Sequence, residues 1–250
     1  MSGPATPRGL SAAVIALGNL CFGYRDYLTP IAIALVVLLS APRPFLGRRA
    51  LDASSNAAGL AVSLAGQALR VLVIGLAYIK RGGKKKRIAA DQLVVDGVFA
   101  HARHPLYVGN LLLLTGLMVI WNSPLGYVVT ALLGLGLFSM ARAEEAFLAR
   151  KFGSEYEAYC ARVPRFIPRV QGLGTTLSRF SFDWKRVVRK EYGTTFSWTT
   201  TAVALLALER IRWDGLSGAA PALAPLAAAW LVLATLWMTA RRLKLARRLI

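Results

Sequence analysis

The chain has 250 residues, of which 56% are hydrophobic and only 17% charged, whereas a soluble domain is usually about 45–50% apolar and about 25% charged. Its 31 Lys and Arg against 12 Asp and Glu give a net charge of +19. The basic residues flank apolar runs, which suits loops beside anionic lipid headgroups and argues against a nucleic-acid-binding protein. The two cysteines, Cys21 and Cys160, have no ligand-spaced Cys or His neighbours, so neither a disulfide framework nor a zinc site is indicated.

The N-terminus carries only Arg8 and no signal-peptide pattern, so the first membrane helix is expected to direct insertion. A membrane span needs about 20 apolar residues. The runs 10–24 and 28–41 each fall short and are separated by Arg25 and Asp26, so they read as two short tilted helices or a bent hairpin. Residues 56–79 form a full-length candidate, and 105–121 is a second. The apolar run 125–141 continues without a breaker through "RAEEAFLARKFG", and 194–208 and 219–240 complete at most seven segments.

Charge orients these segments. "KRGGKKKR" (80–87) is the clearest cytoplasmic marker, joined by the basic stretch 161–190 and the tail 241–248. Seven spans would leave the N-terminus outside and the C-terminus in the cytoplasm. "RPFLGRR" (43–49) would then lie outside, against the rule. The stretch 178–193 places Phe180, Trp184 and Val187 or Val188 on one side, the pattern of an amphipathic helix in the membrane interface. The expected architecture is an all-α, polytopic integral membrane bundle of about five to seven transmembrane helices. Its parts are N-terminal helices over 1–55, a core over 56–170, an interfacial segment over 171–193, and C-terminal helices with a basic tail over 194–250.

Three polar constellations interrupt the apolar pattern. In "ARHPLYVGN" (102–110), Pro105 suits the first turn of a helix, where its missing N–H costs nothing. His104 then sits at the helix mouth, where free backbone N–H groups favour an anion, with Tyr107 one turn later and Gly109 leaving room for a backbone or a ligand. The plain alternative is an interfacial anchor among headgroups. In 142–168, Glu144 and Glu145 sit where a helix leaves the bilayer. They read either as a surface pairing of Glu145 with Arg142 or as a carboxylate pair for a cation or ribose hydroxyls. Tyr156 and Tyr159 share a face of the next helix, and "VPRFIP" stops it. Finally, Gly59, Ser63, Gly66, Gln67 and Arg70 form a small and polar stripe, with Arg70 roughly 13 Å from the cytoplasmic end of its helix. An intramembrane arginine points to function, and close packing through Gly59 and Gly66 is the structural alternative.

"GVFAHARHPLYVGNLLLLTG" followed by "EEAFLARKFGSEYEAYCARVPRFIP" resembles the isoprenylcysteine carboxyl methyltransferase family, and the related phospholipid N-methyltransferases of the same membrane superfamily. The likeness covers about residues 59–168 and leaves the two C-terminal helices as an addition. It implies methyl transfer from S-adenosylmethionine bound at the cytosolic face, with His104, Tyr107, Gly109, Glu144 and Glu145 lining the cofactor pocket. Gly66 matches one glycine of a motif in the phospholipid enzymes, and Gln67 adjoins it. Position and charge alone make Arg70 and Arg165 the candidates to hold a substrate carboxylate. That favours a carboxyl O-methyltransferase acting on a lipophilic or prenylated acceptor from the membrane, with phospholipid amine methylation as the alternative. "YEAYCARVPRFIP" also resembles the end of NADPH-dependent sterol reductases, and a transporter or scaffold is the non-enzymatic alternative. No metal is expected, and the oligomeric state is left open.

Overall fold

The computed structural model describes residues 10–76, 88–179 and 181–246. Arg8, the basic run 80–87, Phe180 and the last residues of the basic tail therefore lie outside the described residues. The helices are α1 (Leu10–Leu39), α2 (Asp52–Leu76), α3 (Pro105–Trp121), α4 (Pro124–Phe152), α5 (Ser154–Arg162), α6 (Leu173–Arg179) and α7 (Trp184–Leu245). Four of them, α1, α2, α4 and α7, are long and apolar enough to cross a membrane, and α3 is a shorter apolar helix.

The first two apolar runs are one helix. Arg25 and Asp26 pair at 3.7 Å and the Arg25 guanidinium lies 4.2 Å from the centre of the Phe22 ring, so the two charges are answered locally. Pro30 lies within α1 and removes one backbone donor without ending it. The opposite happens at the C-terminus, where α7 leaves helical geometry at Gly215 (φ 69°, ψ 174°), backbone open to glycine alone. Trp230 donates to Thr200 Oγ1 at 3.2 Å, Phe196 stacks on Trp237 at 4.9 Å, and Lys244 sits 4.8 Å from the Tyr192 ring centre. These pairs recede from Gly215 in step on both sides, so α7 is an antiparallel hairpin of two arms. Counting its arms separately, the described residues form six apolar rods.

The described residues form two compact units, and both draw on α1, α3 and α4. One takes residues up to Ala34, Leu76–Val108 and Ala131–Ser181. Within it Gly18 packs against the Ser139 backbone, where an added Cβ would come within 2.0 Å of the carbonyl oxygen. α4 ends at Gly153 (φ +53°), whose N–H returns to the Ala149 carbonyl at 2.9 Å. Tyr156 and Tyr159 then turn one face of α5 into a small core with Ala90, Leu148 and Val163.

The second unit takes Leu35–Gly75, Gly109–Thr130 and Phe182 onward. Its centre is the contact of α2 with α3. A Cβ on Gly59 would meet the Gly116 carbonyl at 2.6 Å, and one on Gly66 the Gly109 carbonyl at 2.7 Å. Small residues let two backbones touch where side chains would hold them apart. Arg212, on the first arm of α7, donates to the Val37 and Ser40 carbonyls at 2.8 Å each, satisfying acceptors that the end of α1 leaves open.

The continuous helix expected over 178–193 is divided. α6 stops at Arg179, and Asp183 starts α7 by accepting from the Arg186 N–H at 2.8 Å. Beyond that cap Trp184 is 66% exposed while Val187 is buried, so the two residues expected to share one apolar side differ in their surroundings.

Candidate functional site

In the first unit the opening of α3 meets the C-terminal half of α4. Pro105 is the first residue of α3, as its chemistry demands, and this leaves His104 on the rim. The backbone fixes that rim. Arg103 N donates to the Pro164 carbonyl, His104 N to the Arg165 carbonyl, and Arg169 N to the His101 carbonyl, at 2.9, 2.9 and 3.0 Å. "VPRFIP" thus not only stops α5 but holds the histidine turn. His101, also buried, braces it further, with ring nitrogens 2.6 Å from the Arg169 carbonyl and 2.9 Å from Thr176 Oγ1.

Glu145 is the hub. Its two oxygens accept from Arg165 Nε and Nη2 at 2.8 Å each, a bidentate fork. Arg103 Nη1 approaches the first oxygen at 3.0 Å and Arg142 Nη1 the second at 3.6 Å. His104 lies between the glutamates, with Nδ1 3.4 Å from Glu144 and Nε2 3.4 Å from Glu145. Burial alone would push the His104 pKa down, but its bonds to the two carboxylates outweigh this and move it up. Arg165 is raised by its bond to Glu145. Burial pushes the Tyr156 phenol up, and the Glu145 charge adds to that.

Aromatic rings wall the cluster. His104 lies nearly parallel to Tyr107, with ring centres 5.5 Å apart, and Phe166 is tilted against it at 6.0 Å. Phe138 follows Phe166 at 6.2 Å and sits under the Arg165 guanidinium. Arg103 also donates to the Cys160 sulfur at 2.9 Å. His104 and Glu145 are 4% and 7% exposed, while the side chain of Glu144 is 22% exposed and so the more accessible carboxylate. The site therefore combines a net cationic set of side chains, one accessible carboxylate and an apolar wall.

The remaining expected residues fall in the second unit. Arg70 there makes its own bidentate fork, to Glu191 of α7, at 2.9 and 2.7 Å. It also donates to Asn110, while Gln67 donates to Glu191 at 3.2 Å and accepts from Trp198 at 2.9 Å. Gly66 and Gly109 serve the close approach of α2 and α3, and an added Cβ on Gly109 would meet Arg70 Cγ at 2.6 Å. The expected site residues thus form two groups, His104, Tyr107, Glu144, Glu145 and Arg165 in one unit and Gly66, Gln67, Arg70 and Gly109 in the other.

Sequence reasoning missed Glu191, Trp198 and the bond from Arg103 to Cys160. The scarcity of acids was a usable signal for Glu191, because a carboxylate among 31 basic residues invites the question of its partner. Among the described residues, no group of three or more His, Cys, Asp or Glu gathers to hold a metal.

Residues 57–155 match the family model described as phospholipid methyltransferase. The chain is 35% identical over 86 residues to protein-S-isoprenylcysteine O-methyltransferase of Schizosaccharomyces pombe, covering 34% of this chain and 36% of that protein. It is 33% identical over 121 residues to the protein of that name from Rattus norvegicus, covering 47% and 43%. Over 84 residues it is 40% identical to the cobalt-zinc-cadmium resistance protein CzcN of Cupriavidus metallidurans, covering 32% and 37%. The chain spans less than half the length of each of these relatives. No solved structure matches it. Arg165 and Glu191 lie outside the matched segment, whereas His104, Tyr107, Glu144 and Glu145 lie inside it. Over residues 57–155, then, the chain is similar to the phospholipid methyltransferase family.

Proposed function

We propose that the chain is an integral membrane methyltransferase that uses S-adenosylmethionine to methylate a lipophilic acceptor, with a prenylated cysteine carboxylate as the first choice. The observation that carries this reading is the convergence of His104, Glu144 and Glu145, with Tyr107 alongside, inside the segment that matches the family.

The side chains suit such a cofactor. Arg103, Arg142, Arg165 and His104 outnumber the two glutamates and attract a carboxylate terminus, while accessible Glu144 suits an ammonium or a ribose diol. When bound, the cofactor supplies a methyl group on a sulfonium, which passes to the acceptor as the carbon–sulfur bond breaks and sulfur keeps the electron pair. The chain contributes orientation and exclusion of water, from the aromatic wall of Tyr107, Phe138 and Phe166. A carboxylate acceptor is already ionised at neutral pH and needs no base. His104 is engaged by Glu144 and Glu145 on its two ring nitrogens, which favours such an acceptor over an amine that would need a free base.

The amine reading keeps one specific support. Arg70 and Arg165, the two candidates for holding a substrate carboxylate, are each engaged by a glutamate of the chain itself. In the reading that all six rods cross the membrane, their even number brings both ends to one face, the cytoplasmic one if the basic tail decides. The single helix α1 is what removes the seventh crossing and the outside N-terminus.

Calorimetry of S-adenosylmethionine binding to the detergent-purified protein tests the reading, paired with transfer of labelled methyl to S-farnesylcysteine or phosphatidylethanolamine. Saturable binding with transfer to the prenylcysteine is the expected outcome. Transfer to the phospholipid alone would exchange the two acceptors. Failure of the folded protein to bind would sink the methyltransferase reading and turn the search to NADPH.

A further inference from the structure

A second polar cluster, far along the chain from the methyltransferase motifs, has no part in the proposed activity. It joins the first turn of α2 to the first arm of α7, within the second unit. Asp52, Ser55 and Asn56 occupy one face of α2, at spacings of three and four residues. Opposite them Glu209 accepts from Asn56 Nδ2 at 2.9 Å. Asp52, Ser55, Asn56 and Glu209 are 4%, 7%, 7% and 2% exposed.

Two carboxylates are thus buried together, within electrostatic reach of each other. Neither has an ion-pair partner among the described residues, although Arg210 adds a favourable field from the neighbouring position. One Asp52 oxygen is used, accepting from the Phe45 N–H at 2.7 Å. The other, Oδ2, is buried without a hydrogen bond, and so is the hydroxyl of Ser55 three residues on. Native proteins rarely leave buried oxygens without a partner, and buried carboxylates require a compensating positive charge. The unsatisfied Asp52 Oδ2 and Ser55 hydroxyl, with the Glu209 carboxylate, make a donor set of oxygen only, which selects hard cations over zinc-like metals.

We propose that Asp52, Ser55 and Glu209 bind one hard cation that ties the first turn of α2 to the first arm of α7. Asn56 orients the Glu209 carboxylate toward it. The cation satisfies Asp52 Oδ2 and the Ser55 hydroxyl and offsets the like charges, so its role is to hold this end of the second unit together.

The test is thermal unfolding of the full chain in detergent, followed by tryptophan fluorescence, in choline chloride and then with sodium, magnesium or calcium added separately. The wild type is expected to gain several degrees, saturably, with at least one of the three. Ser55→Ala is expected to weaken the apparent affinity about 10-fold, and Glu209→Gln to abolish the response. Should Glu209→Gln not fold, Ser55→Ala alone decides. A midpoint insensitive to all three cations, or one that follows pH alone because Asp52 and Glu209 share a proton, overturns the proposal. A cation response unchanged in Ser55→Ala overturns it as well.

Discussion

Arg165 and Glu145 face each other as a two-pronged fork, guanidinium edge to carboxylate edge, with both contacts at 2.8 Å. Because Arg103, Arg142 and His104 crowd the same carboxylate, Glu145 holds these basic side chains in place.

Removing that charge takes the carboxylate partner from Arg165 and Arg103. Glu145→Gln is expected to lower stability by about 3 kcal/mol, near the low end for breaking a buried pair, and to cut methyl transfer at least 100-fold. Glu144→Gln should instead leave the unfolding midpoint nearly unchanged while weakening cofactor binding. Thermal unfolding and calorimetry on both variants separate the two roles. Equal loss of stability in both would contradict the assignment.

His104 gives the site a pH dependence of definite sign. Its pKa is raised in the folded protein, so its pairing with Glu144 and Glu145 contributes fully below the ordinary imidazole value of about 6.5. That contribution fades as pH rises from there through the raised folded value. The wild-type midpoint should therefore fall across that window, and His104→Gln should flatten the fall. A wild-type profile that rises over the same interval would reverse the argument.

The glycines of the α2–α3 contact differ sharply from Gly174. An added Cβ on Gly116 would lie 2.2 Å from Ser63 Oγ and 2.3 Å from the Gly59 carbonyl, so backbone must move. Gly116→Ala is expected to cost about 1–3 kcal/mol, seen as a lower midpoint and a lower folded yield. Gly174→Ala, in α6 with nothing within 4 Å, should be neutral or slightly stabilising.

Arg70 and Glu191 are expected to behave as a unit. Each is buried and paired, so Arg70→Met and Glu191→Leu should each be strongly destabilising, while the double variant recovers most of the loss. The unfolding midpoints of all four proteins complete the cycle. Additive losses would mean that Arg70 has another important partner.

The start of α3 at Pro105 and the run of α4 past Glu145 to Gly153 were legible in the sequence because their causes are local: a proline suited to a first turn, and the absence of any breaker before a glycine. The apolar rods were legible for the same kind of reason. The break expected at Arg25 and Asp26 was misleading, since a local pairing and a cation–π contact make those charges tolerable in a continuous helix. Gly59 and Gly66 already suggested a close approach, but the partner glycines at 116 and 109 are fixed by the register of α2 against α3. The fork of Arg70 on Glu191 spans 121 residues of chain. No window of sequence contains both ends of such a pair, so its existence depends on the fold.

The polar face of α2 is completed from the first arm of α7. Glu191 meets Arg70 and Gln67, Trp198 meets Gln67, and Glu209 meets Asn56. These α2 residues, apart from Asn56, fall in the segment that matches the phospholipid methyltransferase family model, whereas their partners fall beyond it. The C-terminal hairpin is therefore no detachable appendage, because without it the Arg70 guanidinium would lose its carboxylate fork and the Gln67 amide its bonds to Glu191 and Trp198. Inheritance should bear the mark of this dependence: among relatives of this chain, an arginine at position 70 and a glutamate at position 191 are expected to be acquired together and lost together.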